Sequence, residues 1–312
     1  MIAAAFISAS VLLFFLGSLS LRKGAFALAV RGGIMSSTAR LTTFALAAAG
    51  PSLAISIYAA ATGHGPMVIG NIIGGNMFNI CIILGIQALF TPFRNTLAVQ
   101  KTDIFILAAA TLLFVFFFSD RQISRIEGGI LLLGSAVYAY VKIRLSHSAN
   151  NTEADEALDQ FQGSGISNRF VPAGYVLAGI ACLAAGSLLL LNGGLLIASH
   201  LGETITGFTI LAASTGSPAL LVMLAAARKK KYEMAVVNIP FTNILNITGI
   251  IGLTALINPL SALAISNIDL YVMAGVPLLL LPFFRKPYTL KRDDGIFMIV
   301  IYLVYLYYLL PK

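Results

Sequence analysis

Long apolar stretches dominate the chain, and short polar or basic segments separate them. A helix needs about 20 apolar residues to cross the hydrocarbon core of a bilayer. Stretches near that length lie at roughly residues 2–21, 36–61, 67–92, 103–119, 124–143, 172–191, 204–227, 233–256, 268–284 and 294–310. They do not alternate between polar and apolar residues, as the strands of a membrane β-barrel would. The pattern therefore predicts an all-α membrane protein with ten transmembrane helices.

The composition agrees with this pattern. Of the 312 residues, 58% are hydrophobic and 10% are charged, and the mean hydropathy is +0.91. A soluble domain carries about 25% charged residues, so much of this surface is expected to face lipid. No basic residue precedes the first apolar stretch, which favours an uncleaved helix over a signal peptide.

The basic residues are distributed unevenly between the two sides of the predicted membrane. With the N-terminus outside, the inside loops hold all of the 20 Lys and Arg residues except Arg121, Arg125 and Lys312. Cytoplasmic loops carry such an excess, so we expect a multi-pass protein of the inner (plasma) membrane with both termini outside. The net charge of +8 reflects this bias and not a nucleic-acid partner. The expected partners are the lipid bilayer and a small ion or solute, and the sequence does not indicate an oligomeric state.

The chain contains an internal repeat at an offset of 167 residues. The aligned pairs are Pro51 with Pro218, Asn71 with Asn238, Asn76 with Asn243, and Asn79 with Asn246. An odd number of predicted helices separates equivalent positions, so the halves are predicted to have inverted topology. The expected units are a first five-helix repeat at residues 1–144, a cytoplasmic linker at 145–170 and a second five-helix repeat at 171–312.

The repeated prolines and asparagines are the candidate functional residues. A proline inside a helix lacks an N–H and kinks or breaks the helix, which frees a carbonyl that an ion can use. Asparagines three residues apart share a helix face, and each offers one carbonyl acceptor and two donors. In transporters built from inverted repeats, such helices form the site near the bilayer midplane. An alternative is that these polar side chains only join helices by hydrogen bonds.

A resemblance to a known family rests on these same residues. The stretch from Gly70 to Ile80 resembles the G-N-x-x-G-S-N-x-x-N-I signature of the cation/Ca2+ exchanger superfamily, the sodium/calcium exchanger-like integral membrane antiporters. The second copy, which ends at Asn246, is degenerate. The resemblance covers nearly the whole chain, and it implies antiport, ten helices, a central linker and external termini.

The resemblance also assigns site residues. In the family each repeat carries a G-T-S-x-P-E motif, whose glutamate is the main cation ligand. Ser52 and Ala219 stand at the two glutamate positions, so both signature glutamates are replaced. The candidate residues for binding an ion or substrate are Ser52, Asn76, Asn79, Thr215, Ser217, Ala219, Thr242, Asn243 and Asn246, with helix breaks at Pro51 and Pro218.

None of the 12 acidic residues is predicted near the centre of the repeat. Ca2+ takes about 6–8 oxygen ligands, and a divalent ion at the midplane is costly without carboxylates. The first hypothesis is therefore a secondary transporter of a monovalent cation, Na+ or K+, with no cofactor other than Na+ as a coupling ion and no assigned metal site.

Two alternatives to that hypothesis stay open. One is a transporter of a neutral or anionic organic solute, because positive helix ends favour anions. The other is a non-transporting membrane subunit that keeps the fold. An enzyme is not indicated, because no His or acid is predicted beside Ser52, the candidate nucleophile.

Overall fold

The computed structural model describes residues 1–31, 36–90, 93–94, 101–146, 170–228, 233–284 and 289–310. The helices of the first half are α1 (Ile2–Arg31), α2 (Ser36–Ala61), α3 (Gly65–Met77), α4 (Leu84–Phe90), α5 (Lys101–Phe117) and α6 (Arg125–Ser146). Those of the second half are α7 (Phe170–Leu201), α8 (Glu203–Thr206), α9 (Ala212–Arg228), α10 (Glu233–Ile244), α11 (Ile251–Ile257), α12 (Asn267–Gly275) and α13 (Arg292–Leu309). Most of the predicted linker lies outside the described residues.

Shorter elements connect these helices. π-helical turns occupy Phe78–Ile83, Gly207–Leu211 and Leu245–Ile250, and 3-10 turns occupy Phe118–Asp120 and Val276–Phe284. The strands are β1 (Phe93–Arg94), β2 (Gln122–Ile123), β3 (Leu260–Ser261) and β4 (Thr289–Leu290). Strand β1 pairs with β4 and β2 with β3, both antiparallel, so each pair joins the first half to the second.

The helices include several that can cross a membrane. Within the described residues, six are long and apolar enough: Ile2–Ala29, Gly65–Phe90, Thr102–Asp120, Phe170–Leu201, Glu203–Ala225 and Ile239–Ile257. Two apolar helices are shorter, Ala47–Ala61 and Asn267–Leu280. The prediction of a helical, multi-pass membrane protein is confirmed. The number of ten crossings and the orientation of the termini stay predictions.

Among the described residues, α1 and α7 form the most extensive helix pair. Phe6 lies beside Gly193, whereas Gly24, much later in α1, lies beside Pro172 at the start of α7. As residue numbers rise along one helix they fall along the other, so the two are antiparallel. Glycines at this contact let the backbones approach closely, as small residues do between membrane helices.

The sequence offset of 167 residues recurs in the architecture. It carries α4 onto α11, β1 onto β3 and β2 onto β4. The contacts are exchanged in the same way, because α4 packs on α13 while α11 packs on α6. Contacts that occur twice with their partners exchanged are the pattern of a two-fold axis, so the repeat seen in the sequence is also a repeat of packing.

Several basic residues assigned to inside loops lie within helices, among them Arg22 and Lys142. Arg22 lies within α1, which continues to Arg31. Lys142 belongs to α6, and its Nζ lies 2.6 Å from Oδ2 of Asp103. The stretch predicted at residues 2–21 ended before Arg22 because a charged residue interrupts the apolar pattern, whereas a helix continues past the hydrocarbon core when its backbone bonds remain satisfied. The side of the membrane on which Arg22 and Lys142 lie stays a prediction.

The prolines of the repeat do not interrupt their helices in the described backbone. Helix α2 continues through Pro51, and α9 continues through Pro218, so the predicted helix breaks are not found there. Proline removes one N–H and crowds the carbonyl four residues earlier. A helix that packs on its neighbours tolerates the loss of one internal hydrogen bond.

Gly74 marks a tight crossing and yields a first prediction. A methyl group there would overlap the backbone oxygen of Phe208 and lie 2.9 Å from Cβ of Ala212, whereas the adjacent Gly75 has open space within 4 Å. We expect Gly74→Ala to destabilise the fold by about 1–3 kcal/mol through overpacking, seen as a lower midpoint of thermal unfolding in detergent. Gly75→Ala is the matched control, and equal effects of the two changes would contradict this packing.

Candidate functional site

Four asparagines meet where the two halves cross. Asn76 and Asn243 each donate from Nδ2 to the other's backbone oxygen, at 3.2 and 3.1 Å. Asn79 donates to Oδ1 of Asn243, and Asn246 donates to Oδ1 of Asn76, both at 2.8 Å. Every bond of one half is thus repeated by the other. We call these four residues the asparagine clamp.

The clamp fixes the orientation of all four side-chain amides. A backbone carbonyl only accepts hydrogen bonds, so the atoms that face it from Asn76 and Asn243 are NH2 groups. Their Oδ1 atoms then face Asn79 and Asn246, whose own NH2 groups are used in these contacts. The oxygens of Asn79 and Asn246 are therefore directed away from the clamp. Oδ1 of Asn246 is buried and has no hydrogen-bond partner among the described residues.

A cavity of about 90 Å³ lies against the clamp. Seven predicted site residues line it: Ser52, Asn79, Thr215, Pro218, Ala219, Thr242 and Asn246. One water needs about 10–15 Å³ of such volume, so the cavity has room for an ion with several waters or for a small organic molecule.

The other predicted site residues lie beside this cavity without lining it. Asn76 and Asn243 are held in the clamp and line a separate space of about 10 Å³. Ser217 donates from Oγ to the backbone oxygen of Ser214 at 2.8 Å. Pro51 is buried within α2.

Each proline removes the N–H that would bond the carbonyl four residues earlier. The fate of that carbonyl differs between the two halves. In α9 that carbonyl belongs to Ser214 and accepts the bond from Ser217. In α2 it belongs to Ala47, and Gly50, the counterpart of Ser217, has no hydroxyl. Ala47 lines the cavity.

Thr215 contributes its hydroxyl as an acceptor. Its Oγ1 donates to Oδ1 of Asn71 at 3.0 Å, and Nδ2 of Asn71 faces Oγ of Ser56 at 3.3 Å. Because the threonine proton is used in this bond, the oxygen lone pairs of Thr215 are what it can present to the cavity. The clamp and this chain of bonds together give the cavity several neutral oxygen acceptors.

Two polar cavity residues were missed at the level of sequence. Ser18 and Arg22 from α1 line the cavity together with Phe15 and Leu19. Oγ of Ser18 is buried and has no hydrogen-bond partner among the described residues. The signal was present, because these four residues follow the three- and four-residue spacing of one helix face.

The carboxylates of the described chain lie away from the cavity lining. Asp103 accepts a bond from the hydroxyl of Tyr138 at 3.0 Å, and Asp269 accepts one from Tyr305 at 2.7 Å. Glu203 pairs with Nδ1 of His64 at 2.8 Å. Among the residues that the structure describes, no three His, Cys, Asp or Glu side chains form a metal-binding group.

Comparison with protein families and characterised sequences gives consistent matches. A family model described as sodium/calcium exchanger protein matches residues 2–144 and 171–310. The chain is 29% identical over 277 residues to the putative antiporter CaxA of Alkalimonas amylolytica, covering 86% of each chain. It is 27% identical over 323 residues to the sodium/calcium exchanger MaX1 of Methanosarcina acetivorans, covering 91% of each.

Solved structures of the sodium-calcium exchanger NCX_Mj share the fold. For crystals soaked with 10 mM Na+ and zero Ca2+, the TM-score is 0.66 at 23% identity, covering 98% of each chain. For crystals soaked with 2.5 mM Na+ and 0.1 mM Ca2+, it is also 0.66 at 23% identity, covering 100% of this chain and 99% of that one. At this level of identity, the likeness shows the architecture alone.

Proposed function

We propose that this chain, which belongs to the sodium/calcium exchanger protein family, moves a monovalent cation, Na+ or K+, through its central cavity and does not carry Ca2+. Members of the family are secondary transporters and not enzymes. The observation that carries the choice of ion is the orientation of the clamp, which directs the amide oxygens of Asn79 and Asn246 away from their hydrogen-bonded partners.

Neutral oxygens suit a monovalent ion better than a divalent one. Carbonyl and hydroxyl oxygens are the ligands that hard cations prefer. The cost of taking an ion out of water grows with the square of its charge, and it is repaid only by compensating charge or strong dipoles. No described residue that lines the cavity is a carboxylate. At the positions that the family resemblance gives to glutamate, Ser52 and Ala219 provide no such charge.

The proposed topology is ten transmembrane helices in two inverted five-helix repeats, with both termini outside the plasma membrane. The antiparallel arrangement of α1 and α7 supports the inversion. The excess of Lys and Arg in the predicted inside loops supports the orientation. In this arrangement residues 1–144 and 171–312 are the repeats, and Na+ is the coupling ion.

The ion proposal is tested with the purified protein in detergent. We expect NaCl or KCl to raise the midpoint of thermal unfolding saturably, compared with choline chloride at equal ionic strength. Asn246→Ala removes the buried, unpartnered oxygen and should abolish this rise. Asn258→Ala is the matched control, because that amide bonds the backbone oxygen of Ala60 at 3.1 Å and does not line the cavity.

Flux measurements complete the test. Proteoliposomes should take up labelled Na+ or K+, and the Asn246→Ala variant should not. A saturable rise in the unfolding midpoint with Ca2+ but with neither monovalent ion would overturn the proposal. The absence of any ion response or flux would favour the non-transporting subunit.

A further inference from the structure

We propose that the part of the central cavity next to α1 is a binding site for a small organic carboxylate. This inference rests on the central cavity being the transport site, and it does not depend on which cation is carried. It makes the organic anion a second solute of the same cavity.

The α1 side of the cavity carries hydrogen-bond donors. Ser18 and Arg22 are one helical turn apart, so they share a face, and both line the cavity. The Ser18 hydroxyl is buried without a hydrogen-bond partner among the described residues, which is a costly state for a polar group unless a ligand completes it. A guanidinium presents its N–H groups as a planar fork that fits the two oxygens of a carboxylate.

The cavity also has apolar lining residues. Phe15 and Leu19 from α1 and Val222 and Met223 from α9 line the cavity. An inorganic anion such as sulfate would lose hydration against these side chains and gain nothing from contact with them. An anion with a short hydrocarbon part gains from the same surface, and the cavity of about 90 Å³ limits that part to a few carbon atoms.

Two asparagines of the clamp line the same cavity. The oxygens of Asn79 and Asn246 would repel a carboxylate and attract a cation, whereas Arg22 does the reverse. The cavity is therefore lined by both acceptors and donors, and an anion and a cation held together in it would neutralise each other. Because the two ligands attract each other, the bound cation should raise the affinity for the anion. The bound anion should raise the affinity for the cation by the same factor, because coupling between two ligands is reciprocal.

The test measures binding of butyrate to the purified protein, by calorimetry and by the midpoint of thermal unfolding. Choline butyrate is titrated against choline chloride and choline sulfate, and the series is repeated with the sodium salts. We expect saturable stabilisation by butyrate alone, weakened about tenfold or more in Arg22→Gln through loss of a charge-assisted contact, and weakened less in Ser18→Ala.

Lys23→Gln is the matched control. Lys23 adjoins Arg22 in sequence but is exposed, and its Nζ lies 5.9 Å from the centre of the Tyr175 ring, outside the cavity lining. Its removal should leave butyrate binding unchanged. If Arg22→Gln does not fold, Arg22→Lys, which keeps the charge and loses the planar fork, replaces it and should weaken butyrate binding by a smaller factor.

The outcomes separate the two proposals. Butyrate binding in choline with no response to Na+ or K+ would overturn the monovalent-cation proposal and support this one. Stabilisation by Na+ without any effect of butyrate would overturn this one alone. Equal effects of chloride, sulfate and butyrate, or a loss in Lys23→Gln as large as that in Arg22→Gln, would also overturn it.

Discussion

The double variant Ser52→Glu and Ala219→Glu is expected to bind Ca2+ at least about a hundredfold more tightly than the unaltered protein does. The two positions come from opposite halves and both line the central cavity. Each new carboxylate adds a charged ligand, and contacts to charged groups are worth about 1.5–3 kcal/mol each, where 2.8 kcal/mol is about a hundredfold. Binding is measured by calorimetry, and transport is measured as uptake of labelled Ca2+ into proteoliposomes.

The same variant should be unstable until the ion is present. Two carboxylates near the midplane without a counter-charge are costly, so the midpoint of thermal unfolding should fall in Ca2+-free buffer and recover as Ca2+ is added. The control is Ser52→Gln with Ala219→Gln, which adds the same bulk without charge. If the unaltered protein binds Ca2+ as tightly as the double glutamate variant, the ion selectivity proposed for this cavity is wrong.

Asn243→Ala is expected to cost about 2–4 kcal/mol of stability, because it removes two buried hydrogen bonds and leaves their partners without a hydrogen bond. The partners left unpaired are the backbone oxygen of Asn76 and the NH2 group of Asn79. Asn79 is then free to rotate, so the stabilisation by Na+ should also be lost although Asn243 does not line the central cavity. Both effects appear in thermal unfolding with and without Na+.

Two comparisons make this second prediction specific. Asn76→Ala removes the two equivalent bonds, so it should cost a similar amount. Asn192→Ala changes an exposed asparagine of α7 and should cost little. If Asn243→Ala lowers stability but leaves the Na+ response intact, the clamp joins helices without orienting the ligands.

The sequence was sufficient for the helical membrane architecture and for the repeat. Apolar stretches report directly on lipid exposure, and matched prolines and asparagines at one offset report on duplicated packing. The ends of the helices were harder to predict from the sequence. The extension of α1 to Arg31 was missed because a basic residue after an apolar stretch predicts a loop. Arg22 instead belongs to the helix and lines the cavity.

The different roles of the asparagines could not be predicted from their spacing: Asn76 and Asn243 are held in the clamp, whereas Asn79 and Asn246 also line the cavity. In a regular α-helix, Asn76 and Asn79 lie on one face and would be expected to act alike. A π-helical turn begins at Phe78 and another at Leu245, and each changes the number of residues per turn between the two asparagines of its half. Such turns often occur at functional sites, but no residue preference in the sequence marks them.

The bonds that hold the two halves together have one more consequence. The clamp, the two strand pairs and the α1–α7 contact all lie within residues 1–146 and 170–310. The two halves of the chain therefore resemble two unequal protomers joined in one chain. The contacts between them occur twice, as they do in a symmetric homodimer. The covalent connection then acts mainly by raising the effective concentration of one protomer around the other. Two separately synthesised halves that share this interface would therefore have the contacts needed to assemble.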